Sequence, residues 1–168
     1  MLKVSVDTCI LLDLLLDQDP ESIARLARYR RNHDELVICG MVYGELFPIL
    51  LRNRIDTALF LSEMNIATHM CRVEHYAFAG RKWSEYLKRR RFVCPACGKS
   101  ITLKCAHCDS SITFRQHILV DFIIGAFSEL DCDGLLTRDK GYYKTYFPNL
   151  KILFTAHVSP IKQTRSPS

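Results

Sequence analysis

Residues 2–16 read LKVSVDTCILLDLLL. The start alternates around β-branched valines, which predicts a short strand over Leu2–Val6 with Asp7 at its carboxyl end. Cys9–Leu16 is too continuously apolar for a surface helix and predicts one largely buried, turn-rich helix. A strand that delivers a carboxylate and passes at once into a buried helix begins an alternating α/β chain.

The same alternation continues outward from this segment. Asp19-Pro20-Glu21 starts a helix that runs to about Arg31, with Ile23, Leu26, Ala27 and Arg30 at helical spacing. Leu36–Cys39 reads as a second buried strand, ended by Gly40. Met41–Leu51 and Ile55–Met64 read as a pair of helices separated by Arg52-Asn53-Arg54, and Asn65–Thr68 as a short strand. Val73–Arg91 is a long amphipathic helix carrying His75, Tyr76, Ala79, Trp83, Tyr86 and Leu87. The pattern breaks over Phe92–Thr113. It resumes with a helix over Phe114–Leu130, apolar at Ile118, Phe122, Ile123 and Phe127, then a strand over Gly134–Thr137 and a last strand over Leu150–Phe154. Strands alternating with helices predict a parallel sheet covered on both faces. The polar Ser159–Ser168, with Pro160 and Pro167, is expected to be a disordered tail.

At 168 residues the chain suits one compact domain with room for a small accessory module. It is 48% hydrophobic and 24% charged, an ordinary globular balance. No apolar run approaches the roughly 20 residues that a membrane span needs, which excludes a spanning helix. The start lacks the basic, apolar and small-residue succession of a secretory signal, so a cytoplasmic location is expected. The net charge of +5 is unevenly placed. Residues 81–115 hold nine basic side chains against Glu85 and Asp109, giving +7 and leaving the remainder at −2. A basic charge gathered in one segment points to a phosphate-rich partner.

Several acids fall where strands end or helices begin, the edge at which open α/β sheets build their sites. Asp7 ends the first strand, Glu45 lies in the helix after the second, and Asp139 follows Gly134–Thr137. Asp121 sits among Ile118, Leu119, Val120, Phe122, Ile123 and Ile124, where a carboxylate is costly unless it faces a cleft, a cation or a donor. Asp13 reads as a helix-surface residue, and Asp131 and Asp133 as turn residues.

Val4-Ser5-Val6-Asp7-Thr8, Glu45, Leu119-Val120-Asp121-Phe122-Ile123-Ile124-Gly125-Ala126 and Leu136-Thr137-Arg138-Asp139 resemble, in order and spacing, the motifs of PIN domains. The likeness is to the VapC-like toxin ribonucleases of toxin–antitoxin pairs, and Gly141–Pro148 with Leu150-Lys151-Ile152 is similar to their C-terminal segment. The resemblance implies a three-layer α/β/α fold with a central parallel sheet over residues 1–91 and 113–158. It implies that Asp7, Glu45, Asp121 and Asp139 bind Mg²⁺ or Mn²⁺, with the Thr137 hydroxyl beside them and Thr8 orienting Asp7. It further implies RNA as substrate, a cognate antitoxin as partner and a homodimer, for which the Ile55–Met64 helix is a candidate interface. Hard divalent cations prefer such oxygen ligands, and metal-bound water can attack phosphorus.

Four of the eight cysteines, Cys9, Cys39, Cys71 and Cys132, sit in apolar settings and read as core residues. Cys94, Cys97, Cys105 and Cys108 form C-x₂-C-x₇-C-x₂-C, the spacing of a tetrahedral structural Zn²⁺ site. Residues 92–112 are therefore expected to be an inserted zinc ribbon, with Gly98 in the tight turn of one knuckle, Asp109 at the same place in the other, and His107 on the surface. A module this small cannot bury a useful core, so the metal would supply most of its folding energy. Arg89, Arg90, Arg91, Lys99, Lys104 and Arg115 are candidate RNA-backbone contacts. Phe92 and Phe114 are placed to pack the ribbon on the core or to stack on bases. The leading functional expectation is a metal-dependent endoribonuclease toxin. The alternatives are a housekeeping endonuclease of RNA maturation and a non-catalytic RNA-binding zinc-ribbon protein.

Overall fold

The computed structural model describes residues 1–16, 19–89, 96–112, 119–139 and 141–154. The chain runs β1 (Lys3–Val6), α1 (Thr8–Leu16), α2 (Pro20–Arg31), β2 (Glu35–Cys39), α3 (Gly40–Arg52), α4 (Thr57–Glu63), β3 (Ile66–His69) and α5 (Val73–Arg89). It continues through β4 (Leu103–Lys104), β5 (Ser111–Ile112), α6 (Leu119–Asp131), β6 (Gly134–Thr137), α7 (Tyr142–Tyr146) and β7 (Ile152–Phe154). Five strands form one parallel sheet in the order β3-β2-β1-β6-β7. The chain thus works outward from β1 in both directions, and the order reverses between β1 and β6.

Successive residues along the inner strands are buried, not alternate ones: Val4, Ser5 and Val6 in β1, Leu36–Cys39 in β2, Gly134–Thr137 in β6. Both faces of the sheet are therefore covered, as helical crossovers between parallel strands require. Caps explain where helices start. Asp19 accepts from the Ser22 amide (3.2 Å) and hydroxyl (2.6 Å), and Pro20 occupies the first turn of α2, where its missing N–H costs nothing. Asp56 accepts from the Leu59 amide (2.8 Å), which places Ile55 and Asp56 ahead of α4 and not inside it. The short α7 had no counterpart in the sequence reading. No helix among the described residues is long and apolar enough to cross a membrane.

Within residues 92–112, expected to be a zinc ribbon, the described residues hold an antiparallel two-stranded sheet, Leu103 opposite Ile112 and Lys104 opposite Ser111. Arg90, Arg91, Phe92, Cys94, Phe114, Arg115 and the tail 159–168 lie outside the described residues. Asp131 is not a simple turn residue. It closes α6 and binds Arg72 (2.6 Å) and the fully buried His75 (3.2 Å), tying the start of α5 to the end of α6.

Helices α5, α6 and α7 meet in an aromatic cluster. Phe122 packs edge-on against Trp83 (centroids 5.2 Å apart) and Tyr142 (5.1 Å), while Phe147 meets Phe78 (5.9 Å). Phe147 lies so close to α6 that a Cβ on Gly125 would stand 2.4 Å from its ring. Glycine inside a helix costs about 1 kcal/mol relative to alanine, so its place here is explained by this contact. Gly125→Ala is expected to lower the unfolding free energy by about 2 kcal/mol, read as a lower urea midpoint at unchanged slope.

Candidate active site

The reversal of strand order puts the carboxyl ends of β1 and β6 side by side, the usual place for a crevice in an open parallel sheet. The Asp7 amide donates to the Leu136 carbonyl (3.0 Å), so the chain leaves β1 still bound to β6. Asp7 Oδ1 accepts from the Thr8 amide (2.8 Å), and Oδ2 accepts from the Thr137 hydroxyl (2.5 Å) and the Cys9 thiol (3.5 Å). Thr137 is fully buried and also accepts from the Asp139 amide (3.0 Å), so one hydroxyl joins two acidic positions. The Thr8 hydroxyl donates to Glu45 Oε2, linking the start of α1 to α3. Asp139 Oδ1 takes the amides of Gly141 (3.0 Å), Tyr142 (2.7 Å) and Tyr143 (3.4 Å) at the start of α7.

All four expected carboxylates line one cleft of about 620 Å³, with Thr8, Cys9, Leu12, Ile49, Arg138, Tyr142 and Tyr143. Asp121 reaches it from the first turn of α6. Burial raises the Asp7 carboxyl above the usual range. Hydrogen bonds from Thr137, Cys9 and Thr8 pull it down, and the charge of Asp121 pushes it further up. Burial likewise raises Glu45, opposed by Thr8 and assisted by the charges of Asp121 and Asp7. The Cys9 thiol is pushed up to about 11 by burial and the Asp7 charge, so at neutral pH it is a donor and not a nucleophile.

The donor chemistry fits a hard divalent cation, since the four acids lining the cleft supply only oxygen donors. Among the described residues, no group of three or more His, Cys, Asp or Glu side chains is arranged to hold a metal ion. Glu45 is instead engaged by Thr8, and one oxygen of Asp139 by backbone amides.

Asp13 is not a surface residue: it is fully buried, and its Oδ2 lies 3.0 Å from Arg138 Nε. Asp13 follows Cys9 by four residues in α1, so the two lie one turn apart along the same side of that helix. Cys9 is a cleft residue as well as a packing one, while Cys39 is fully buried as expected. Arg138, Tyr142 and Tyr143 also line the cleft, where no local sequence signal marks them out.

In the second sheet, Gly98 (φ 69°) and Asp109 (φ 55°) both adopt the left-handed conformation, at the position following each Cys-x-x-Cys pair. The Cys105 carbonyl accepts from the Asp109 amide (2.9 Å), and Lys104 pairs with Asp109 (2.7 Å). Lys99, Lys104 and His107 are exposed. Cys94 lies outside the described residues, and Cys97, Cys105 and Cys108 do not by themselves form a group that could hold an ion. A zinc site is thus not shown.

The sequence model described as PIN domain matches residues 4–148. Two solved structures share the fold. A VapBC2 complex from Rickettsia felis, bound to a DNA fragment from its promoter, has a chain 14% identical, with a TM-score of 0.61, covering 89% of this chain and 96% of that one. A toxin–antitoxin complex from Klebsiella pneumoniae has a chain 14% identical, with a TM-score of 0.58, covering 91% of this chain and 98% of that one. No curated protein matches.

Raised carboxyl groups favour the folded state fully below their unfolded values of 3.8 and 4.5, and that contribution is lost as pH rises through the folded values. In metal-free protein, Asp7→Asn is therefore expected to remove part of this loss. Thermal melts at pH 4 and pH 7 should show the variant gaining on the wild type at the higher pH.

Proposed function

The chain belongs to the PIN-domain family, and from that premise we propose that it is a metal-dependent endoribonuclease, the toxin of a toxin–antitoxin pair. The observation that carries this reading is the meeting of Asp7, Glu45, Asp121 and Asp139 in one cleft at the point where strand order reverses. These side chains come from four separate segments, and gathering them opposes folding unless a cation is bound there.

Asp7, Glu45, Asp121 and Asp139 would hold one or two Mg²⁺ or Mn²⁺ ions. When bound, such an ion supplies an activated water and neutralises charge on the phosphate. The residues around it fix the donors. Thr137 and Cys9 orient Asp7, Thr8 orients Glu45, and the α7 amides hold Asp139 through Oδ1, leaving Oδ2 to face a ligand. Tyr142 and Tyr143, whose phenols burial keeps protonated, form a wall that stays neutral.

One structural neighbour is a VapBC2 complex and the other a toxin–antitoxin complex, which supports a cognate antitoxin protein as partner. The reading extends to a cytoplasmic homodimer, for which exposed Ile55 just before α4 and Leu59 within it offer apolar surface. It extends also to a structural Zn²⁺ held by Cys94, Cys97, Cys105 and Cys108. The paired spacing and the two left-handed turns support that site. Arg89, Arg90, Arg91, Lys99, Lys104 and Arg115 around it would follow the RNA backbone.

Incubation with total RNA should give cleavage that requires Mg²⁺ or Mn²⁺ and falls at least about 100-fold, roughly 2.7 kcal/mol, in Asp121→Asn. Binding without metal-dependent cleavage would remove the enzymatic reading. Elemental analysis should find about one zinc per chain, lost in Cys97→Ser. A wild-type preparation without zinc would remove the metal from the ribbon.

A further inference from the structure

We propose that Arg138 is the phosphate-binding residue of the cleft, held in position by the buried carboxylate of Asp13. The proposal rests on the ribonuclease reading above and names the part of the site that grips substrate.

Four acids line the cleft, and among the described residues that line it Arg138 is the one basic side chain. A polyanion approaching these acids needs a compensating positive charge, and Arg138 stands next in sequence to Asp139. The arginine is not free to swing. Its Nε lies 3.0 Å from Asp13 Oδ2, and Asp13 is fully buried. Neither Asp13 oxygen has an aligned hydrogen bond among the described residues, so this ionic contact is what compensates the buried charge. A buried carboxylate left without its cation is strongly destabilising, so the guanidinium is bound to its place. The contact runs through Nε, on one edge of the guanidinium. The side chain of Arg138 remains 45% exposed, and among the described residues no acceptor takes its Nη groups. A guanidinium anchored at one edge and open at the other presents a planar pair of donors that matches two phosphate oxygens.

The arrangement also explains a carboxylate with no other task. Asp13 does not line the cleft, and its position one turn after Cys9 sets it behind the wall that carries Arg138. The pair works as a bracket: the acid is inside, the base projects, and the phosphate seat lies beside Asp139.

A structural role alone would be to neutralise Asp13, and a double variant separates the two roles. Arg138→Gln removes the cation and leaves Asp13 unpaired. Asp13→Asn/Arg138→Gln removes both charges and keeps the protein foldable even if the single variant is not. Binding of a fluorescent single-stranded RNA oligonucleotide would be measured by anisotropy over a KCl series. Cleavage of the same RNA would be followed with Mn²⁺. Both variants are expected to bind RNA about tenfold more weakly, with a log–log salt slope shallower by about 0.7, the value of one lost phosphate contact on a single strand. KM is expected to rise by a similar factor, with kcat within about twofold of the wild type.

Wild-type affinity and salt slope in the double variant would overturn the proposal, because neutralising Asp13 would then be the whole role. A fall in kcat at unchanged KM would overturn it too. If the wild type binds RNA without cleaving it, the ribonuclease reading fails while the salt slope still decides the phosphate seat. If it binds no RNA, both fall.

Discussion

The parallel pairing of β1 with β6 is the contact on which the rest of this protein is referenced. At its open end the Lys3 amide donates to Asp133 Oδ2 (2.7 Å), and the Asp133 amide donates back to the Lys3 carbonyl (2.8 Å). At its carboxyl end the Asp7 amide is bound to Leu136. Between them the register sets Val4 beside Gly134 and Val6 beside Leu136. Gly134 also lets β7 close in from the other side, since a Cβ there would stand 2.8 Å from the Lys151 carbonyl. Because the two strands are neighbours in space but far apart in sequence, helices must leave them in opposite directions. The crevice and its first residues, Asp7 and Thr137, follow from that.

Once the crevice exists, its electrostatics are determined by how little help each acid receives. The interior disfavours ionised carboxylates, and neighbouring charges add to the cost. Thr137, Thr8, Cys9 and the amides before α7 offset part of it with short, directed donors. These contacts also fix where each carboxylate points before any ligand arrives, so the site is oriented by neutral groups. Asp13 and Arg138 solve the same problem differently, by placing a full charge against a full charge.

Much of this was legible in the chain itself. Strand ends at Asp7 and Thr137 could be found because short apolar stretches stop abruptly at polar residues, and β6 occupies the interval that its pattern predicts. The acids were visible because a carboxylate inside Leu119–Gly125 contradicts its surroundings. What escaped was whatever depends on contacts between distant segments. Asp13 lies among leucines on a helix, and nothing local says that Arg138, far along the chain, would bury with it. The five-residue α7 was also missed, because a stretch that short shows no period and is created by Asp139 holding its first amides. Asp131 looked like a turn former for the same reason: its partners, His75 in α5 and Arg72 just ahead of that helix, are distant in the chain.

The absence of a side chain at Gly125 has a geometric meaning beyond packing. One end of α7 is held by Asp139, and Phe147 just past the other end rests on α6 at Gly125, a single helical turn from Asp121. Helix α7 is thus a strut of fixed length between two of the cleft's acids, and the bare backbone at Gly125 is the surface against which the strut is seated. Any atom inserted there would act as a shim, lifting one jaw of the cleft away from the other. The gap between Asp121 and Asp139 is therefore a mechanical dimension, machined into the protein by a carbon it does not have.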